Sequence, residues 1–290
     1  MAIFPSVCEN IQTFKRATGT RTDEFAQRLG TSLASAYRYE KGDISRIETI
    51  CQLSTLMNVS VATLLGASSE QYSNLDRYLD RMWQIDQLTD RAFRISSPLI
   101  YQTTSDAYDL VLRQIIEEIA VKMPRDEAAI RKLGNRLQGL LEKRKRLFRI
   151  KQPSLTSIVI ESRLRDLLAV GVAGGVDISS RLRAKAQKVA ADEAEGVAKQ
   201  MEECQDGIRI GFLDEPCLTS SFELLYEPGR TFLVVNPLAL DGNPLMTMNV
   251  AMIATDRDTL PTYSQIADAA WERAIKGKAG AAKIRAMIAS

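Results

Sequence analysis

Residues 22–42, TDEFAQRLGTSLASAYRYEKG, constrain the fold more than any other part of the chain. The sequence predicts two short helices joined by a tight turn, the second beginning after Ser32, whose hydroxyl suits a helix N-cap. Ala26 is small enough for the two helices to cross closely, and Gly30 permits the left-handed backbone that such a turn requires. Gly42 follows the second helix as a stop signal. The segment therefore predicts a compact pair of crossing helices.

This pair is the centre of five short helices predicted between Ser6 and Leu65. In the first helix, apolar residues recur at i, i+4 and i+7, which places them on one helical face. The fourth helix follows Ser45 and the fifth follows Ser60. The residues that we expect the fourth helix to bury are Ile47, Ile50, Leu53 and Met57. The small and polar residues 66–70 mark a boundary, so that residues 1–67 form the first predicted domain.

The five-helix segment resembles the Xre family of lambda-repressor-like helix-turn-helix DNA-binding domains. The resemblance covers residues 6–65 and rests on residues 22–42, on Ile47–Ser54 and on Met57–Leu65. It implies that the second helix of the pair lies in the major groove of double-stranded DNA, with its N-terminal residues against base edges. Carried over position by position, the residues expected to bind DNA are Thr22, Leu33, Ala34, Ser35, Tyr37, Arg38 and Lys41.

The expected contacts follow from the chemistry of each side chain. Ser35 and Tyr37 can hydrogen-bond bases or phosphates, Leu33 or Ala34 can meet a thymine methyl group, and Arg38 can pair with a phosphate. Two positions depart from the family, which usually has glutamine in place of Thr22 and a β-branched residue in place of Ala36. These departures affect the details of specificity and leave the expected fold unchanged.

The charge of this segment predicts that it acts as an oligomer. Its seven basic and six acidic residues give a net charge of +1, so a single copy should bind DNA weakly. We therefore expect a homodimer or higher oligomer that binds a two-fold symmetric operator, because several copies together bind DNA more tightly than one. A protein-docking role for the helical pair is the alternative interpretation.

The composition of the whole chain excludes several kinds of chemistry. It contains no histidine, which removes Ser-His-Asp and Cys-His catalysis and histidine metal sites. No apolar run has the roughly 18 residues that a membrane helix needs, and the N-terminus lacks the pattern of a secretion signal. Cys8 and Cys51 occupy apolar positions of helical patterns and are predicted to be buried free thiols. We therefore expect a cytoplasmic, nucleoid-associated protein without a membrane partner.

Residues 68–100 are predicted to form a helical linker. Leu75, Tyr78, Met82 and Ile85 alternate at three and four residues, which is typical of either a dimerisation helix or an amphipathic helix packed on its own domain. The helical pattern continues to about residue 203. It includes the basic run 142–151, which is either a solvated helix face or a phosphate contact.

Residues 101–290 are predicted to form a C-terminal α+β domain for association and effector sensing. The β-rich runs that predict a mostly antiparallel sheet with helices are Ile208–Leu213, Ser221–Tyr226, Thr231–Val235 and Met246–Ile253. Turn signals lie at Glu227–Arg230 and Asp241–Pro244. The end of the chain faintly resembles the phospholipase-D-like sensor domains of some regulators, on Tyr226–Asn236, Met252–Thr255 and Ala270–Ala274. Because histidine is absent, only a non-catalytic, ligand-sensing relative fits; an α/β dimerisation domain without ligand is the alternative.

Together these observations predict a multidomain, sequence-specific DNA-binding transcriptional regulator. It is expected to have no catalytic residues, cofactor or metal, and its small-molecule effector, if there is one, is not identified by the sequence. Two alternatives stay open. One is an enzyme, such as a hydrolase that works without histidine, carrying a DNA-targeting domain. The other is an antitoxin-like protein that binds a protein partner.

Overall fold

The structure is a computed structural model. It describes residues 5–67, 69–95, 97–203, 207–214, 221–235, 250–256 and 258–290. Within these residues the chain combines twelve α-helices with a single eight-stranded sheet, so the predicted α+β class is confirmed. None of the helices in this part of the chain is long and apolar enough to cross a membrane.

Five helices lie between residues 5 and 67. They are α1 (Pro5–Thr18), α2 (Thr22–Leu29), α3 (Leu33–Glu40), α4 (Ile47–Met57) and α5 (Val61–Leu64). Their inward faces form a separate hydrophobic core, in which Val7, Ile11, Phe25 and Leu53 are completely buried. The expectation that Ile47 lies inward is wrong: its residue surface is 68% exposed, because it is the first residue of α4 and precedes the turn that packs on the core.

The rest of the chain contains eight strands and seven helices among its described residues. The strands are β1 (Ser69–Tyr72), β2 (Arg91–Ile95), β3 (Ser154–Ile160), β4 (Ile208–Leu213), β5 (Phe222–Glu227), β6 (Arg230–Val235), β7 (Ala251–Ala254) and β8 (Ile275–Lys276). The helices are α6 (Leu75–Leu88), α7 (Asp106–Lys122), α8 (Glu127–Lys151), α9 (Glu161–Val170), α10 (Ser180–Glu203), α11 (Thr259–Arg273) and α12 (Gly277–Ile288).

The strands form one mixed sheet in the order β1-β7-β6-β5-β2-β3-β4-β8. β2, β3 and β4 run parallel, and the other neighbouring pairs are antiparallel. Parallel neighbours need long crossovers, which α7 and α8 supply between β2 and β3, and α9 and α10 supply between β3 and β4. Five of the seven neighbouring pairs are antiparallel, so the sheet is mostly antiparallel as predicted, and it also contains a parallel block of three strands that the sequence did not predict.

Helices cover both faces of the sheet. Successive side chains of a strand point to opposite faces, so each strand contributes to two cores. On β2, Ala92 belongs to the larger core, which the sheet shares with α6, α7, α8, α10 and α12. Phe93 belongs to the smaller core, which lies between the sheet and α11. The sheet is thus the middle layer of three.

The segment predicted as a helical linker, residues 68–100, contributes two strands to this sheet. β1 pairs with β7, and β2 lies between β5 and β3. The pattern missed them because β1 is short and β2 is buried at four of its five residues, so neither shows a clear alternation of polar and apolar residues. β3 lies in the region predicted to be helical, and the pattern missed it for the same reason, because six of its seven residues are buried.

The seam predicted on α6 faces the interior of its own chain. Leu75, Tyr78, Met82 and Ile85 are all buried in the larger core, where α6 packs against α8. The amphipathic-helix interpretation therefore describes α6, because these four side chains offer no exposed face to a second copy.

The basic run at the end of α8 is divided between the interior and the surface. Arg144 is buried against Asp86, and Lys145 is buried against Asp109. Lys151 is half-buried and donates to the carbonyl oxygen of Gln87. Three of its cations thus stabilise the domain, and the run does not form a continuous phosphate-binding surface.

Some of the remaining predictions about strands, turns and cysteines are confirmed and others are wrong. The strand runs at Ile208–Leu213 and Thr231–Val235 are confirmed, as is the turn at Glu227–Arg230, whose end residues pair in the β5–β6 hairpin. The prediction of buried thiols is wrong, since Cys51 is exposed and Cys8 is half-buried. The turn at Asp241–Pro244 and the first half of the run at Met246–Ile253 lie outside the described residues, and the second half of that run contributes to β7.

Two glycines should respond to alanine with opposite signs. Gly171 has φ +74°, and a Cβ there would lie 2.6 Å from the backbone nitrogen of Gln187. We expect Gly171→Ala to lower the free energy of unfolding by about 2 kcal/mol or more. Gly196 lies inside α10 with nothing within 4 Å of an added Cβ, so Gly196→Ala should raise it by about 0.5–1 kcal/mol. Denaturant titration measures both; shifts of the same sign would contradict this account of Gly171.

Candidate nucleic-acid interface

The turn between α2 and α3 has the geometry that the sequence predicts. Gly30 is left-handed, with φ 63°, and its N–H donates to the carbonyl of Gln27 at 3.1 Å. The N–H of Thr31 donates to the carbonyl of Ala26 at 3.0 Å, so two of the orphan carbonyls at the end of α2 are satisfied. Ser32 then caps α3 by accepting from the N–H of Ser35 at 3.2 Å. These local bonds fix the angle between the two helices.

One face of α3 is buried and the opposite face is exposed. Ala36 is completely buried in the small core of the first five helices. Leu33 and Tyr37, one helical turn apart, are 47% and 51% exposed. Ala34 and Arg38 are exposed beside them. Large apolar side chains in such positions leave apolar surface in contact with water, so an exposed pair on one helical face suggests a partner.

Thr22, predicted to reach DNA, is half-buried and already engaged. Its hydroxyl accepts a hydrogen bond from the ammonium group of Lys15 at 2.6 Å. The same ammonium group pairs with the carboxylate of Glu40 at the end of α3. Lys15 therefore ties α1 to both helices of the pair, and Thr22 has a structural role in the free protein that the sequence did not reveal.

The hydroxyl of Ser35 is also engaged within the protein. It lies 2.9 Å from the hydroxyl of Ser32, which caps the helix, and the residue is half-buried. Ser35 therefore extends the N-cap of α3.

Arg38 forms an exposed ion pair with Asp43 just beyond α3. Its Nε donates to Oδ2 of Asp43 at 2.8 Å. This hydrogen bond lowers the pKa of the Asp43 carboxyl and raises the pKa of Arg38, so both groups stay charged at neutral pH. The guanidinium group predicted to meet a phosphate is thus held by an acid of its own domain. Because the pair is exposed, a phosphate can compete for it at little cost.

Exposed cations lie close to α3 in the sequence. Lys41, predicted to contact DNA, directly follows the helix and is exposed, and Arg46 precedes α4. Arg28 on α2 is exposed and lies over the ring of Phe14 at 5.8 Å. Arg21 pairs with Asp23 at 3.3 Å near the start of α2. Along the chain, the exposed apolar side chains of α3 are thus accompanied by exposed cations and also by the exposed acids Asp23, Glu24 and Glu48.

A hydrogen-bonded junction positions the five helices on the sheet. Arg81 of α6 and Glu70 of β1 are both buried, with Nη2 and Oε1 2.8 Å apart. Arg81 also donates to Gln84, whose amide donates to the carbonyl of Met57 in the last turn of α4 at 3.2 Å. Tyr72 donates its hydroxyl proton to Glu70, and burial raises the pKa of that tyrosine, which keeps it a donor.

Two surface cavities lie away from α3. A cavity of about 430 Å³ between α7 and α8 is lined by charged side chains, and each of its carboxylates faces a cation. These pairs are Asp109 with Lys145 at 2.7 Å, Glu142 with Arg113 at 3.6 Å and Asp106 with Arg149 at 3.6 Å. The paired acids do not favour a carboxylate-dependent hydrolase in this cavity. A second cavity, of about 510 Å³, lies between α9, α10 and α12.

The described part of the chain contains no group of three or more histidine, cysteine, aspartate or glutamate side chains that could hold a metal ion. Comparisons with family models, with curated proteins and with solved structures found no match to this chain.

The buried pair at the junction can be tested by removing one charge. Glu70→Gln leaves Arg81 buried without its counter-ion, and we expect it to lower the free energy of unfolding by about 3 kcal/mol. Adding Arg81→Met should restore part of the loss. Glu117→Gln is the matched control, because it breaks the exposed pair with Arg131 and should cost less than about 1 kcal/mol. Equal losses in the two single variants would show that the junction is unimportant.

Proposed function

We propose that this protein is a sequence-specific DNA-binding regulator that inserts α3 into the major groove. The observation that carries the proposal is the exposed face of α3, with Leu33 and Tyr37 on it, held at a fixed angle to α2 by the left-handed Gly30. Helix-turn-helix proteins place a helix of this kind against base edges while the preceding helix crosses the DNA backbone. The resemblance of residues 6–65 to the Xre family supports the same function.

The rest of the chain would supply association and effector sensing. The first five helices carry a net charge of only +1, so two copies on a two-fold symmetric operator would provide the missing affinity. An effector could regulate the protein only by binding its DNA-competent and incompetent arrangements with different affinities. The junction between β1, α6 and α4 is where a change in the sheet domain would reach the DNA-binding helices.

Selection of genomic DNA fragments by the purified full-length protein tests the proposal directly. At about 150 mM salt, non-specific phosphate binding is much weakened, so retained fragments report sequence preference. A recurrent site with two-fold symmetry would support the proposal and identify the target genes. If no site is enriched over a control selection without protein, the DNA-binding proposal fails.

Removing the two largest exposed side chains of α3 should abolish specific binding. For Tyr37→Ala combined with Arg38→Ala, we expect affinity for the selected site to fall at least about tenfold, because one lost groove contact is worth about 1–3 kcal/mol and the loss of the Arg38 phosphate contact adds to it. Leu110→Ala with Arg113→Ala is the matched control, since it removes two exposed side chains from one face of α7. Fluorescence anisotropy measures the affinities. Unchanged binding by the α3 variant, with its fold intact, would contradict the groove assignment.

Releasing Arg38 from its carboxylate should have the opposite effect. Asp43→Asn removes the acceptor that holds the guanidinium group and also removes a negative charge beside α3. We expect tighter binding, and a plot of log affinity against log salt concentration that is steeper by about 0.9 for one additional phosphate contact. Asp177→Asn, which removes an exposed carboxylate paired with Lys122, should leave the slope unchanged. An unchanged slope in Asp43→Asn would mean that release from Asp43 gives Arg38 no additional phosphate contact.

A further inference from the structure

The polar and apolar side chains of α3 differ in their freedom to meet a partner. Ser35 is engaged in the N-cap, Arg38 is held by Asp43, and Glu40 is paired with Lys15. The exposed side chains that remain are those of Leu33, Ala34 and Tyr37, and only the last carries a polar atom. The outward face of the helix is therefore mainly apolar.

This composition limits how the helix can distinguish bases. Bidentate recognition of adenine uses asparagine or glutamine, and bidentate recognition of guanine uses a free arginine or lysine. The sequence of α3, LASAYRYE, contains no asparagine or glutamine, and its one cation, Arg38, is the residue that the proposed function assigns to a phosphate. The apolar group that base pairs display in the major groove is the C5 methyl group of thymine. An apolar helix face and thymine methyl groups are thus matched in chemistry.

We infer that α3 recognises thymine methyl groups, with Leu33 and Tyr37 as the residues that determine specificity. The inference rests on the proposed function and specifies its target: each half-site contains thymines at the positions that face these two side chains. We assign DNA as the occupant of this apolar face, because the exposed cations Arg28, Lys41 and Arg46 lie within a few residues of α3 along the chain and the first five helices carry a net positive charge. Phosphates flank the major groove and would be the partners of these cations.

The test uses synthetic duplexes of the selected site in which single thymines are replaced by deoxyuridine. This replacement removes one methyl group and keeps the base pair. We expect the full-length protein to bind about fourfold more weakly at each contacted position, the effect of exposing one buried methyl group. Replacing a contacted thymine by cytosine should weaken binding, and 5-methylcytosine at that position should restore part of the loss.

A double-mutant cycle assigns each methyl group to a side chain. In Leu33→Ala, deoxyuridine should cause no further loss at the position that Leu33 contacts, whereas other positions keep their sensitivity. Leu110→Ala is the matched control, because Leu110 lies on α7 with the same 47% exposure as Leu33. That variant should retain the full deoxyuridine effect. Tyr37→Phe should also retain it, since the ring and not the hydroxyl meets the methyl group.

The outcomes separate this inference from the proposed function. If a specific site is selected but deoxyuridine binds as well as thymine at every position, the protein binds DNA and the methyl inference is overturned. If no site is selected at all, the proposed function fails and the inference fails with it. If Leu33→Ala and Tyr37→Ala instead lower the oligomeric mass measured by light scattering without DNA, a second copy of the chain covers the face, which also overturns the inference.

Discussion

The buried ion pair between Glu70 and Arg81 is the interaction on which the arrangement of the protein depends. Two charges removed from water are stable only when each is fully hydrogen-bonded, and here the carboxylate also accepts from Tyr72 while the guanidinium also donates to Gln84. The network joins β1, α6 and the last turn of α4, so the first five helices are fixed to the sheet by directional bonds. Apolar contacts alone would allow the five helices to slide over the sheet, whereas hydrogen bonds of fixed direction do not.

Several polar side chains near α3 already form hydrogen bonds or ion pairs within the domain, which limits the residues that are free to contact DNA. Lys15 holds Thr22 and Glu40 together, and Asp43 holds Arg38. Side chains that stabilise a helix pair cannot also donate freely to bases, and the remaining outward face is apolar. Specificity then depends on shape and methyl contacts, which change affinity by smaller steps than bidentate hydrogen bonds do. A second copy on a symmetric site would multiply such small differences.

The sequence predicted elements that local signals specify, such as helix caps and apolar spacing, and it missed features that depend on tertiary contacts. Helix periodicity and the Gly30 turn predicted helices within residues 6–65, since caps and apolar spacing are local signals. The strands β2 and β3 were not predicted, because a strand buried on both faces shows no alternation of polar and apolar residues. The burial of Arg144 and Lys145 was not predicted either, because the acids that pair with them lie on helices distant in sequence. At the candidate site, Tyr37 could be named from the motif, but the partner of Arg38 needed the structure. Such pairings depend on tertiary geometry, which spacing along the chain does not encode.

The register of β1 has a consequence for the order in which parts of the chain fold during synthesis. Ser69 pairs with Ala254 and Tyr72 with Ala251, so the strand that follows the first five helices has its partner near the other end of the chain. Contacts among the five helices are short in sequence and form quickly, whereas this pairing must await the synthesis of residues 251–254. During synthesis, the N-terminal helices should therefore fold well before β1 finds β7. A nascent chain would carry folded helices before the sheet that orients them is complete.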